Sequence, residues 1–490
     1  MDQSRQPSRN SKVMNLPILT PFISGRSIDD ALPCVELISP STLQPYAQLS
    51  ESSEQNVQSA VQSAHNAFQS YRKTPLSTRT QWLNNAATEI EKNLPELIDM
   101  LIQDIGKPKK ASTFEANRSA GFLRATASEA LTLRGETIPV DSLPAGSGKL
   151  GFTKRYPYGV VAGITPFNAP INLLVQKVAP ALVAGNAIVI KPHPSATRIT
   201  LKIAEIFHQS GLPSGLFNVL TGDRFPAANL VANPLVMAVS FTGGTLAGDA
   251  LVRAAGAKKF LAELGSNAAN IVLADADIED AAKKIASAAF EASGQQCISA
   301  QRIIVEEKVY DEFLNYFITA TKVLTVGDPW DENTDIGPMV SLQTANRVMA
   351  IVADAKNKGL KVALDPIQTD CIVSPGIIIH PTSESSIWRD EVFGPLATVA
   401  KAKNSDEALK MANDSEFGLQ GALFTRSLKE ALRFSEDFEV GSLWVNEASR
   451  FRLDMYPFGG SKRSGFGREG VRYAIEELSQ TRFTGIRYDF

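Results

Sequence analysis

A chain of 490 residues, 44% of them hydrophobic, is long enough for two or three domains with substantial cores. Its 49 basic and 52 acidic residues are spread without long runs and leave a net charge of −3, which argues against a nucleic-acid groove or a basic membrane face. Cys34, Cys297 and Cys371, with no CxxC and only four histidines, cannot build a disulfide framework and lack zinc-site spacing, so no metal is expected and a reducing cytoplasm fits best.

In chain order, residues 1–16 are rich in Ser, Arg and Gln and lack the apolar core of a secretory signal, which predicts a flexible tail. No apolar run approaches the roughly 18 residues that span a bilayer. From Glu54 to Leu133 apolar residues recur at helical spacing, as at Val57, Val61, Ala64 and Phe68, and predict several consecutive helices. The cluster Leu143-Pro144-Ala145-Gly146-Ser147-Gly148 breaks that pattern, and Gly151 to Tyr158 reads as an extended arm with exposed aromatics. Short β-branched runs then predict strands at Val160–Ile164, Ala187–Lys191, Phe217–Leu220 and Met237–Phe241, with helices between them. A second alternation follows, with strands at Asn270–Leu273 and Gln301–Val305 around a helix from Ile278 to Ala292. The fold class is therefore α/β, with two domains of βαβ type and a pocket between them.

Several fragments carry chemistry. Glu263-Leu264-Gly265-Ser266-Asn267 and Gly294-Gln295-Gln296-Cys297-Ile298 supply a candidate base and a candidate thiol nucleophile in a Gly-flanked turn. Ile164-Thr165-Pro166-Phe167-Asn168-Ala169-Pro170 offers an amide donor on a loop stiffened by prolines. Asp390-Glu391-Val392-Phe393-Gly394-Pro395 adds a carboxylate and an aromatic ring. Gly465-Phe466-Gly467-Arg468-Glu469-Gly470 matches G-x-G-x-x-G, but no predicted strand precedes it and too little chain follows for a βαβ unit. A better phosphate loop is Ser240-Phe241-Thr242-Gly243-Gly244-Thr245-Leu246-Ala247-Gly248, where a strand ends in glycines and a helix begins.

With these motifs in order from about residue 20 to about residue 480, the chain resembles the aldehyde dehydrogenase superfamily. The resemblance implies a Rossmann-like coenzyme domain (17–142 and 159–265), a second α/β catalytic domain (266–455), and a small β-arm and tail (143–158 and 470–490) that serve oligomerisation, giving a homodimer or homotetramer. It implies NAD(P)-dependent oxidation of an aldehyde to its acid. Cys297 would attack the carbonyl, Asn168 would hold the oxyanion, and Glu263 would activate the water that hydrolyses the thioester. The cofactor would be bound by Thr165, Phe167, Lys191, His193, Pro194, Phe241, Gly243, Gly244, Gly248, Leu264, Glu391 and Phe393, and Lys177 would lie on a proton path from Glu263. Glu263 argues against the alternative of a coenzyme-A-acylating enzyme, and the joint presence of thiol, amide and base argues against a non-catalytic relative.

Two departures from the family pattern are informative. Lys191-Pro192-His193-Pro194 stands where many members have Lys-Pro-Ser-Glu, so the carboxylate that repels a 2′-phosphate is absent and NADP acceptance is favoured over NAD alone. Ser266 replaces a usual glycine, which bears on local backbone geometry only. For the substrate, Arg450 and Arg452 on a loop expected at the pocket entrance, with Gln296 beside the thiol, point to a small anionic or hydroxylated aldehyde. Arg118 and Arg124 are weaker candidates, and pairing of one loop arginine with Asp454 is the competing reading.

Overall fold

The computed structural model describes residues 16–29 and 32–488, so the expected tail lies almost wholly outside them. The helical segment forms four helices, Glu54–Tyr71, Leu76–Lys92, Leu94–Ile105 and Lys109–Glu129. The first starts in a capping box: Ser53 Oγ accepts from Asn56 N at 3.1 Å, and Asn56 Oδ1 accepts from Ser53 N at 2.8 Å. Its stripe Val57, Ala60, Val61 and Ala64 is fully buried. The third ends at Gly106, whose φ of +70° is left-handed and whose missing side chain makes room for Pro338.

Five parallel strands form the centre of the first sheet, in the order Lys259–Glu263, Val236–Thr242, Val160–Thr165, Ala187–Pro192 and Phe217–Val219. Chain order reverses between Val160–Thr165 and Val236–Thr242. That is the switch point of a doubly wound sheet, where ligands bind beyond the carboxyl ends of the strands. Short antiparallel strands close both edges: Phe22–Ile23 with Arg26–Ser27 at one, and Gly465–Phe466 at the other.

The second sheet has seven strands, with Ala269–Val272 between Arg302–Glu306 and Gln420–Phe424. Successive side chains alternate between two cores. Ile303 and Val305 pack with Phe290, Phe313 and Phe317, while Ile304 packs with Leu423 and Phe434. Burial on both faces explains why these strands read as continuous apolar runs. The helix expected to reach Ala292 stops at Phe290, because Ala292 and Ser293 turn left-handed at φ 52° and 57°.

The arm is the strand Lys149–Pro157, paired antiparallel over its whole length with Ser479–Arg487 of the same chain and flanked by Thr137–Ile138. The helix Val471–Glu477 precedes that last strand and buries Val471 and Ile475 in the first core.

Candidate active site

The strand Val160–Thr165 delivers the loop Pro166–Ala169 to the switch point, and Pro170 opens the helix Pro170–Ala184 that follows. Glu115 caps that helix: its Oε1 accepts from the backbone of Ile171 at 2.8 Å and of Asn172 at 3.2 Å, and its other oxygen pairs with the buried Lys107. Asn168 is held just ahead of the helix, where its Nδ2 donates to the carbonyl of Gln295 at 2.9 Å. The amide is thereby tied to the loop that carries Cys297.

That loop is strained. Ala292, Ser293 and Gly294 are successively left-handed, and a side chain at Gly294 would strike the carbonyl of Gly394. Ser293 Oγ donates to Gly337 O at 2.7 Å, and Gln295 Oε1 accepts from Val340 N at 3.0 Å, which anchors the turn from both sides. Cys297 is partly accessible and packs against Ile298, Leu419 and Phe458. Burial pushes its thiol up to about 12, against the pull of the Arg452 guanidinium toward the thiolate.

Glu263 ends its strand 2% exposed, with both carboxylate oxygens buried and unpartnered. Burial first, and then the negative charge of Glu469, hold its carboxyl well above the usual range. Glycine is required at 459, since a Cβ there would stand 2.6 Å from the Gly467 carbonyl oxygen; it would also lie 3.0 Å from Glu263 Oε1. Lys177 is fully buried and donates to Ser240 at 3.2 Å, Thr242 at 2.7 Å and Glu469 at 3.0 Å; its ion pair is with Glu469 and not with Glu263. Burial alone would raise Glu469, but Lys177 and Arg452 outweigh it and keep the carboxylate ionised. Glu469 belongs to the G-x-G-x-x-G segment. The segment forms an edge strand and supplies this carboxylate; it is not a phosphate loop.

One cavity of about 1160 Å³ runs from Cys297, Glu263 and Asn168 along the switch point to Lys191. At its far end Lys191 is 5% exposed as a whole residue, and its ammonium has neither hydrogen bond nor ion pair among the described residues. Burial lowers it to about 8, with Asp223 and Glu51 pulling the other way. His193, expected beside it, lines the cavity as a neutral ring: burial and then Lys191 push it down to about 4, and its Nδ1 accepts from Ser195 N at 3.2 Å. Phe167 lies between His193 and Phe393, with ring centroids 5.1 and 5.9 Å away. Glu391, raised to about 7 by burial, accepts from Ser266 N at 2.9 Å, so the serine fits without left-handed backbone. Gly244 precedes the helix Thr245–Ala255 and has open space where a side chain would stand. Gly248 is not a lining residue; it makes room for Leu264, 2.5 Å from its would-be Cβ. A Lys191 ammonium without a direct partner among the described residues, an unsatisfied buried Thr165 hydroxyl and a glycine-floored helix start fit a dinucleotide.

On the substrate side, the expected arginines fare differently. Arg450 Nε donates to Gln296 Oε1 at 2.9 Å and the guanidinium pairs with Glu291. Arg452 is not at the entrance but inside, with its Nη2 on Gln176 at 3.0 Å and Glu469 at 3.1 Å and its guanidinium 3.7 Å from the Phe458 ring centroid. Its Nε is buried and unpartnered. Asp454 takes a bidentate bond from Arg118, at 2.6 and 3.1 Å, and from neither loop arginine. Arg124 pairs with Glu91 and does not line the cavity. Sequence reasoning missed Glu469, Gln176 and Phe458, whose only signals are an acidic residue inside a misleading glycine pattern and ordinary helix and turn residues. Among the described residues no three His, Cys, Asp or Glu side chains cluster to hold a metal ion, and no helix is long and apolar enough to cross a membrane.

A partly accessible thiol and a buried carboxyl lining the same cavity as the glycine-floored helix start point to the class, an oxidoreductase of carbonyl compounds. The chain belongs to the aldehyde dehydrogenase family, whose model matches residues 28–484. It is 40% identical over 449 residues to a 3-sulfolactaldehyde dehydrogenase of Priestia megaterium, covering 91% of this chain and 94% of that one. It is 35% identical to a lactaldehyde dehydrogenase of Methanocaldococcus jannaschii, over 94% and 98% of the two chains. The fold superposes on NADP-dependent glyceraldehyde-3-phosphate dehydrogenase from Bacillus halodurans, complexed with NADP, with a TM-score of 0.93 at 30% identity, over 96% and 99% of the chains. The protein is an aldehyde dehydrogenase that oxidises an aldehyde to the acid with NADP or NAD.

Proposed function

We propose that Cys297 is the nucleophile, Asn168 the oxyanion donor and Glu263 the hydrolytic base, acting on a short aldehyde that carries an anionic group and a hydroxyl. The observation that carries this is that all three side chains line one cavity, with Asn168 bonded to the Cys297 loop. Cys297 rests as a thiol, and its sulfur adds to the carbonyl carbon as the proton passes to water in the cavity, while the Asn168 amide and the Cys297 backbone N–H stabilise the oxyanion; preorganised donors of this kind each lower a barrier by roughly 3 to 4 kcal/mol. When bound, the nicotinamide accepts the hydride released as the thiohemiacetal collapses to a thioester. Glu263 then takes a proton from the attacking water, a role suited to a carboxyl whose pKa is raised.

The buried, unpartnered Nε of Arg452 supports an anionic substrate, and so does the sulfonated aldehyde named for one relative; the lactaldehyde named for the other supports the hydroxyl but carries no charge. NADP is the favoured cofactor, since Pro194 brings no carboxylate to the end of its strand. The first sheet would carry the cofactor and the second the thiol, and the arm would join copies into a closed homo-oligomer. Free thiols suit a cytoplasmic setting.

The test is a panel of sulfonated, phosphorylated, hydroxylated and plain short aldehydes with either cofactor, followed by absorbance of the reduced nicotinamide. Arg452→Met is expected to lower kcat/KM for the anionic aldehyde roughly tenfold or more relative to a neutral one. An equal loss on both kinds would make Arg452 a structural partner of Glu469 only.

A further inference from the structure

Pro194 leaves the strand Ala187–Pro192 without a carboxylate at its end, and His193 is neutral, so neither residue distinguishes a ribose hydroxyl from a ribose phosphate by charge. The next strand does bring charge. The turn after Phe217–Val219 places Asp223 and Arg224 at the same end of the cavity as Lys191. Asp223 stands at the head of the helix Arg224–Ala232 but makes no capping bond with its side chain. It is 66% exposed, and its backbone N–H donates to Glu51 at 3.4 Å. The Arg224 side chain is 96% exposed and meets Asp223 only at 3.7 Å, a solvated contact that contributes almost nothing and leaves the guanidinium free to turn. Lys191 lines the same cavity as a buried cation that makes no direct ion pair among the described residues, although the charges of Asp223 and Glu51 reach it.

We propose that Asp223 and Arg224 select the cofactor: Arg224, with Lys191, holds a 2′-phosphate, and Asp223 accepts from an unphosphorylated ribose hydroxyl. A guanidinium fork matches phosphate geometry, and a carboxylate matches a hydroxyl donor while repelling a phosphate. Opposite charges on adjacent residues make the site dual, so both cofactors bind and either can be favoured by one substitution. The proposal rests on the NAD(P) reading above and adds two residues to it.

Calorimetric titration of the full chain with 2′,5′-ADP and with 5′-AMP tests it without any aldehyde. Both residues are exposed and make no capping or buried contact, so their variants are expected to fold. Arg224→Ala should weaken 2′,5′-ADP roughly ten- to a hundredfold and leave 5′-AMP unchanged, as loss of a charge-assisted bond predicts. Asp223→Asn should tighten 2′,5′-ADP several-fold and weaken 5′-AMP. If the wild type binds 5′-AMP and Arg224→Ala weakens both ligands equally or neither, the selector role is wrong while the cofactor site stands. Binding of neither nucleotide by the wild type would overturn the cofactor site as well.

Discussion

At the scale of single residues, Glu263 as the proposed base should set the pH behaviour. Its carboxyl has no partner and sits near the ionised Glu469, so the protonated form is favoured and persists above the ordinary carboxylate range. A protonated Glu263 cannot take a proton from water, so turnover should rise with pH through this raised pKa. Glu263→Gln removes that limb of the profile. The variant should still give a stoichiometric burst of reduced cofactor in stopped flow, followed by turnover slowed roughly 10²- to 10⁴-fold. An unchanged profile and rate would remove Glu263 from the hydrolytic step. The sequence offered Glu263 as a candidate base, and its proposed role came from the resemblance of Glu263-Leu264-Gly265 to the family motif. Its partner in charge, Glu469, was not legible there, because nothing in the spacing of the two residues tells that a sheet edge brings them together.

At the scale of elements, the loop before Cys297 depends on backbone conformation more than on side chains. Gly294 sits at φ +66°, and its would-be Cβ lies 2.2 Å from the carbonyl oxygen of Gly394. Gly294→Ala therefore adds left-handed strain of about 1 to 2 kcal/mol and forces two loops apart. Thermal denaturation should show a lower Tm, and turnover should fall more than tenfold because the thiol moves relative to Asn168. Wild-type stability and rate in this variant would mean that the turn relaxes at no cost. The sequence announced a turn at this glycine but extended the preceding helix through Ala292. Alanine favours helix, and long-range contacts such as the Ser293 Oγ bond to Gly337 O and the close approach of Gly294 to Gly394 anchor a turn that both Ala292 and Ser293 ordinarily avoid.

At the scale of the whole molecule, the arm sheet leaves Ser479–Arg487 as an outer edge with Phe483 and Ile486 half exposed. The last strand of the second sheet, Ser442–Val445, likewise has a partner on one side only. Open edges of this kind invite pairing with a second copy. Removing residues 479–490 takes the partner from Lys149–Pro157, and sedimentation velocity should then show a smaller species than the full chain. Phe483→Lys with Ile486→Lys, which leaves the strand in place, should shift the same equilibrium. Equal masses for all three proteins would exclude the arm from assembly.

By itself the sequence determined the α/β class and the strands around the switch point, and it named the thiol, amide and carboxyl that the structure sets on one cavity. Those follow from periodicity and local turn chemistry, which act over a few residues, and from motifs whose resemblance to a known family is specific. The tertiary structure alone decided the charge partners. Arg452 pairs with Glu469, Asp454 with Arg118 and Lys177 with Glu469, and each pairing joins elements that different strands and helices bring together. Which cation meets which carboxylate, and whether His193 carries charge, depends on the burial and distance that packing creates.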